Sequence, residues 1–340
     1  MSGVARLGVA ALLGVLVVLA VLQYRPSLRW WIELSRYLPY YWWMVLCGVA
    51  LGVSMRLGRG WRWAAVASCV VLGTVTSGLT WNLLPAAAAS APADRLRLLT
   101  YNIKAGQALQ RPQGIEAIGR EIVRHRPDVV VMQDADGLLV PRHAAALSAG
   151  EVFGFAHLHA IGQYVAASRF PLRDCTPGTL DDGVESHRYL RCTVAAPGGD
   201  FTLVTAHFLS PRGGLVATRT EGLEGRSEWH QNFLGRLAQA RALAADMRNA
   251  PRPLVVAGDL NAPEASPVVQ VLLATGLRDA FSAAGRGYGF SYGHSMRAGL
   301  SFLRIDHILV SHDIAVTDSF VGASDASEHR PVIADLVLRR

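Results

Sequence analysis

The sequence predicts an α/β protein: an apolar membrane region followed by one domain of two packed sheets flanked by helices. Three observations predict it. Three long apolar stretches precede residue 85. From residue 97 to 340, short β-branched runs alternate with stretches of helical spacing. The charge is also divided: residues 1–97 carry nine arginines against Glu33 and Asp94, net +7, whereas residues 98–340 hold equal numbers of acids and bases. The basic balance therefore belongs to the membrane flanks and makes a nucleic-acid partner unlikely.

The first apolar stretch, residues 7–22, carries no charge and approaches the ~20 residues that a bilayer requires. A second runs from about Leu38 to Leu57 and a third from about Trp63 to Leu84. Trp30, Trp31, Trp42, Trp43, Trp61, Trp63 and Trp81 mark the ends, in the manner of an interfacial belt. Three transmembrane helices within residues 1–84 are expected. A signal peptide is the alternative for the first, but two more apolar segments follow and no small-x-small site ends it. With the N-terminus inside, Arg6, Arg56, Arg59 and Arg62 face the cytoplasm, and Arg25, Arg29 and Arg36 lie outside, offset partly by Glu33. The C-terminal domain is then extracytoplasmic. Residues 85–96, rich in Ala, Pro and Ser, read as a linker, with the catalytic domain at 97–340. Cys47 and Cys69 read as apolar fillers; Cys175 and Cys192 are either a disulfide or two buried thiols.

Within the domain, Leu96–Tyr101 is a short strand ending in Asn102. Gly114–Arg124 has Ile115, Ile118, Ile122 and Val123 at helical spacing, and Pro127 stops it. A buried strand over 128–132 ends in Gln133 and Asp134. Gly162–Ser168 and Tyr189–Ala195 read as paired strands. Phe201–Ala206 ends at His207, Phe233–Met247 is a helix, and strands surround Ile305–Leu309 and fill Pro331–Leu338.

The chain is organised around PLVVAGDLNAPEAS, residues 253–266. A buried run, Leu254–Ala257, breaks at Gly258 and presents Asp259, Asn261 and Glu264. The strand period of two lets Asp259 and Asn261 point the same way. An acid that takes a proton beside an amide that holds an oxygen suits hydrolysis of a charged ester; a polar turn ending a strand gives the same residues. Six strand ends carry such residues: Asn102, Asp134, His207, Asp259 with Asn261, Asp306, and Glu328 with His329. Together they suggest one rim. Asn102, Asp134 and Glu328 offer hard oxygen ligands suited to Mg²⁺ or Mn²⁺, and the clustered Cys or His that favour zinc are missing. His207 and His329 can donate to a phosphate or a leaving oxygen.

The order LLTYNIKAG, PDVVVMQDAD, VTAHFLSP, VVAGDLNAPEAS, RIDHILVS and SEHRPVIADL resembles the endonuclease/exonuclease/phosphatase superfamily, the DNase I-like fold. The resemblance covers roughly residues 97–340 and implies a four-layer α/β/β/α sandwich, with the site at one end of the two sheets. It also implies roles: Asn102, Asp134 and Glu328 at the metal, Asp259 on the attacking water, Asn261 and His207 on the phosphate, Asp306 paired with a transition-state-stabilising His329. Two positions depart from the family pattern. Gln-Glu is here Gln133-Asp134, and Ser-Asp-His is Ser327-Glu328-His329, with Asp325 as an alternative ligand.

Anchor and domain together resemble the VanJ-type teicoplanin-resistance proteins of actinobacteria. This implies a membrane-bound phosphatase of undecaprenyl pyrophosphate, acting outside the membrane on a lipid pyrophosphate. A tethered nuclease and a non-catalytic binding module are the rivals. Lys104, the chain's sole lysine, reads either as a contact to a second phosphate or as a solvated loop cation.

Overall fold

The computed structural model describes residues 2–24, 27–75, 78–82, 95–136, 138, 153–181, 186–296 and 299–338. The N-terminal region holds α1 (Ser2–Tyr24), α2 (Trp30–Ser35), α3 (Tyr40–Ser54), α4 (Arg59–Val75) and a short β1 (Thr80–Trp81). Next come β2 (Arg95–Asn102), α5 (Ala105–Ala108), α6 (Gly114–Arg124), β3 (Val129–Gln133), β4 (His157–Ile161), β5 (Tyr164–Ser168) and β6 (Leu172–Asp181). The middle of the chain forms β7 (Ser186–Ala196), β8 (Gly199–His207), α7 (Arg212–Glu221), α8 (Arg226–Arg248), β9 (Leu254–Asp259) and α9 (Pro267–Leu273). The C-terminal part adds β10 (Leu277–Asp279), α10 (Ala280–Ala284), β11 (Arg286–Gly287), β12 (Asp306–Ser311), β13 (Ile314–Val321) and β14 (Val332–Leu338).

Two six-stranded sheets form the domain, in the orders β13-β14-β2-β3-β5-β4 and β10-β12-β9-β8-β7-β6. Each contains one parallel pair, β2 with β3 and β8 with β9, and each pair is joined through a helix, α6 or α8. Side chains alternate by strand period. Leu98, Val129 and Val131 meet Leu203, Val255, Ala257 and Ile308 between the sheets. Leu99, Tyr101, Val130 and Met132 turn outward onto Ile118 and Ile122 of α6. Val204, Val256 and Leu309 turn the other way onto Phe233, Leu237 and Ala240 of α8. Helices outside two sheets give the four layers, held mainly by apolar burial of roughly 1.5–3 kcal/mol per large side chain.

Some sequence expectations are corrected. Gly162–Ser168 and Tyr189–Ala195 are not partners: β5 pairs with β3 and β4, whereas β7 lies in the other sheet between β6 and β8. The intervening β6 was not readable, because it is a largely exposed edge with little apolar periodicity. The domain starts earlier than 97, since Arg95 and Leu96 already belong to β2; the rest of the proposed linker, to residue 94, lies outside the described residues.

The three expected spans are corrected most. Among the described residues one helix, over Gly3–Gln23, is long and apolar enough to cross a membrane. The second stretch yields only the 15-residue α3. The third stretch does not continue to Leu84. α4 ends at Val75, and Thr80–Trp81 pairs with Arg286–Gly287 of the domain. α1, α3 and α4 pack through Val9, Leu13, Ala50 and Ala65, and through Leu16, Ala20 and Leu72. Their outer faces expose Leu7, Val18, Trp42, Val45, Trp63 and Val70.

Candidate active site

The carboxyl ends of both parallel pairs reach one rim. Asn102 stands opposite Gln133, and His207 opposite Asp259. β12 runs antiparallel to β9 and begins there, with Asp306 opposite Asp259. Val332 of β14 pairs with Thr100, which brings Ser327–His329 to the same edge; Ser327 Oγ donates to the Asn102 carbonyl at 2.8 Å. A strand that stops pairing here leaves side chains free for a ligand. Three residues at these ends, Lys104, Asp134 and Asn261, take left-handed backbone conformations with φ of 47°, 49° and 48°. Such non-glycine strain gathers where surrounding structure dictates the direction of a side chain. Gly258 is required for a different reason: a Cβ there would lie 2.0 Å from the Ala206 carbonyl oxygen of the neighbouring strand.

Asp259 is the centre of the rim. Its Oδ2 accepts from Asn102 Nδ2 at 2.9 Å, across the gap between the two sheets, and its Oδ1 accepts from the Asn261 amide at 2.9 Å. His207 Nε2 and His329 Nε2 approach Oδ2 at 3.5 and 3.7 Å. His329 Nδ1 pairs with Asp306 Oδ2 at 2.9 Å. Burial alone would lower the His329 imidazolium, but Asp306 and Asp259 outweigh it and the ring titrates above its ordinary value. Burial raises the Asp306 carboxyl, against the pull of His329. The ring of this pair faces Asp259 through its Nε2.

The other expected residues sit around this core. His207 Nδ1 lies 2.6 Å from Gln163 Oε1 and 3.7 Å from Asp134 Oδ1. Asp134 Oδ2 accepts from Lys104 Nζ at 2.5 Å. Burial would raise the Asp134 carboxyl; His207 and Lys104 outweigh it and hold the group below its ordinary range. Lys104 is therefore a partnered cation and not a solvated one. Asn261 departs from the expected alternation. β9 ends at Asp259, and the left-handed turn sends Asn261 Nδ2 to the Phe208 carbonyl at 2.8 Å. Glu328 lies at the outer lip, where Arg212 Nη2 donates to its Oε2 at 3.2 Å. Asp325 is exposed.

Four residues escaped the sequence reading. Gln163 and Tyr164 hold His207, the latter by accepting its backbone N–H at 3.0 Å. Tyr292 lays its ring 4.8 Å from that of His329, and Arg212 meets Glu328. Of these, Gln163 and Tyr164 stood in a legible strand; the aromatic run around residue 290 was the remaining signal.

A divalent ion fits this rim. Asp259, Asp306 and His329 offer ligand atoms within 4.8 Å of one another, and among the described residues Asp306 Oδ1 is buried with no hydrogen-bond partner. Asn102 Oδ1 and Asp134 add hard oxygens, which suit Mg²⁺ or Mn²⁺. Asp134 and Glu328, two of the three ligands expected, are each held by a basic side chain, Lys104 and Arg212.

Sandwich and rim together define an α/β/β/α protein with a hydrolase-type site. The Endonuclease/Exonuclease/phosphatase family profile matches residues 99–329, and the chain belongs to that family. No curated protein sequence matches the chain. Among solved structures it is similar to an endonuclease/exonuclease/phosphatase protein of Beutenbergia cavernae, at 22% identity and TM-score 0.53, over 72% of each chain. A mannosyl-6-phosphatase of Bacteroides thetaiotaomicron matches at 16% identity and TM-score 0.55, over 72% of this chain and all of that one. D. rerio TDP2, solved with a single-strand DNA product, matches at 15% identity and TM-score 0.51, over 71% and 98%.

Proposed function

We propose that the chain is a membrane-anchored, metal-dependent phosphoesterase that hydrolyses a lipid-borne pyrophosphate, of the undecaprenyl pyrophosphate kind, outside the cytoplasm. Glycopeptide resistance of the teicoplanin type is the process this reading connects it to. The observation that carries it is the Asp259 carboxylate held between two amides and two imidazoles.

In this reading Asp259 orients a water and accepts its proton. Asn102 and the Asn261 amide fix the carboxylate, so that it does not rotate away. His329, oriented by Asp306, faces charge developing on the phosphoryl oxygens. His207, steered by Gln163 and Tyr164, donates to the phosphate from the other side. A divalent ion held by Asn102, Asp134, Asp259 or Asp306 would neutralise phosphoryl charge when bound.

Four observations support a lipid substrate outside the cytoplasm. α1 has the length and hydropathy of an anchor, and the outer faces of α3 and α4 are apolar. Tyr40, at the start of α3, stacks on Tyr288 and Phe290, in the loop that carries Tyr292 to His329. Cys175 and Cys192 are disulfide-bonded, which suits an oxidising compartment. The domain's neutral balance gives a polyanion little attraction.

Phosphate release from a polyprenyl pyrophosphate, with and without Mg²⁺, tests the proposal. Mg²⁺-dependent release is expected. Cleavage of duplex or single-stranded DNA in its place would make the chain a tethered nuclease, and no release from any ester would leave a binding module. A reporter after Arg340 that reads cytoplasmic would remove the envelope substrate.

A further inference from the structure

We infer that residues 30–37, between α1 and α3, are a positioning element of the active site, with Tyr37 and Glu33 fixing the loop after Asp259 from behind. The inference rests on the reading of that loop as catalytic.

The left-handed turn at Asn261 points a carbonyl into the interior, where it needs donors. Two are provided: Tyr37 Oη at 2.8 Å and Arg236 Nη1 at 2.9 Å. Tyr37 and Arg236 also hydrogen-bond each other. The Arg236 guanidinium is fully buried between the rings of Tyr37 and Trp229, 5.2 and 5.3 Å from their centroids. Glu33, equally buried, lies 3.9 Å from Arg236 and accepts from Arg36 at 2.6 Å. It also accepts from Ser266 Oγ at 2.7 Å, and Ser266 caps α9, where the loop ends. Trp229 Nε1 donates to the Trp30 carbonyl at 2.9 Å. Both ends of the loop, Asn261 and Ser266, are thereby tied to one short segment.

A tether requires only length. Burying Glu33, Arg36 and Arg236 costs several kcal/mol per ion unless each is paired, so this contact has a defined geometry. Its effect reaches the chemistry in two steps: Tyr37 holds the Asn261 carbonyl, and the Asn261 amide holds Asp259 Oδ1 at 2.9 Å. The solved structures compared above are covered over 98–100% of their length by 71–72% of this chain in two cases. More than a quarter of this chain therefore lies outside those matches.

Full-length protein carrying Tyr37→Phe tests this, because Phe keeps the ring against Arg236 and Trp229 and removes only the hydroxyl. We expect kcat to fall about tenfold on a soluble phosphoester and on the lipid pyrophosphate alike, with KM within about twofold, the loss of roughly one buried hydrogen bond. Deuterium uptake should quicken over residues 259–266 and stay unchanged elsewhere. Unchanged uptake in that loop, or a uniform rise across the domain, would overturn the assignment. If the wild type hydrolyses none of the esters offered, the function proposed above fails while the uptake measurement still decides the positioning role. Glu33→Gln, which keeps an acceptor for Ser266, should disturb uptake less than Glu33→Ala; the reverse order would also count against it.

Discussion

The loop from Asp259 to Ser266 is gripped by two buried ionic networks of different origin. One comes from within the domain. His307 bonds the Ala262 carbonyl at 2.9 Å and Asp279 at 2.8 Å, while Arg304 bonds Asp279 at 2.7 Å and also the Glu264 carboxylate. The other is reached from the N-terminal segment, where Glu33, Arg36 and Tyr37 meet Arg236 of α8. The first sets two acids against one arginine and a histidine. The second sets one acid against two arginines, and among the described residues Arg236 Nη2 is buried with no hydrogen-bond partner. A buried network is strong only when every member is satisfied, so the domain side should carry stability and the N-terminal side should be the more easily disturbed.

The largest effect should come from the group both networks serve. Asp259→Asn keeps size and removes the proton acceptor; a loss of ~10²–10⁴-fold in kcat is expected, with thermal stability close to wild type. Near-normal turnover would mean that the gripped loop is not the catalytic one.

Next is the domain network. Asp279→Asn leaves Arg304 with a single acid, and about 3–5 kcal/mol of stability should be lost in thermal or denaturant unfolding. Burial would raise the Asp279 carboxyl; Arg304 and His307 outweigh it and hold the group far below the usual carboxylate range. A depressed carboxylate contributes stability above its unfolded pKa of ~3.9 and loses it only as pH falls through the folded value. The Asp279 contribution should therefore be constant from pH 8 to 5 and fade only in strong acid. Fading of that contribution near pH 6 would point to another group.

The N-terminal contact should cost less. Tyr37→Phe is expected to lose roughly 0.5–1.5 kcal/mol, since Arg236 keeps the Asn261 carbonyl and Glu33 keeps both arginines paired. A loss equal to that of Asp279→Asn would break the ranking of the two networks.

Much of the domain side was legible, because strands announce themselves by period and by what ends them. Leu254–Ala257 before Asp259, and the run Ile308–Val310 after Asp306, carried the residue types and the order. The N-terminal side was not legible. Glu33 counted only as an offset to nearby arginines, yet its partner Ser266 lies 233 residues away, and Asn261 lies 224 from Tyr37. No local pattern encodes such pairings. Edge strands such as β4 and β6 failed for the opposite reason: half-exposed surfaces relax the apolar alternation that identifies a strand. Asn261 shows the limit of the period argument itself, which stops where the strand stops.

Lys104 belongs to neither network and should give the smallest effect, yet it sharpens what the networks position. Its Nζ lies 2.5 Å from Asp134 Oδ2, and Asp134 reaches Asp259 by way of His207. Burial would lower this ammonium, but Asp134 overrides it and the group stays charged at neutral pH. Side chains here keep roughly a quarter of their surface in solvent, so the pair is worth little as stability. Two outcomes separate its roles. If the ammonium meets a second phosphate, Lys104→Met should raise KM for a pyrophosphate a few-fold more than KM for a monoester. If Asp134 ligates the divalent ion, removal of the competing cation should also lower the Mg²⁺ concentration for half-maximal activity. Equal changes in KM for both substrates would refute the phosphate contact. An unchanged Mg²⁺ requirement would leave Asp134 as the partner of Lys104 and His207, and move the ion toward Asp259 and Asp306.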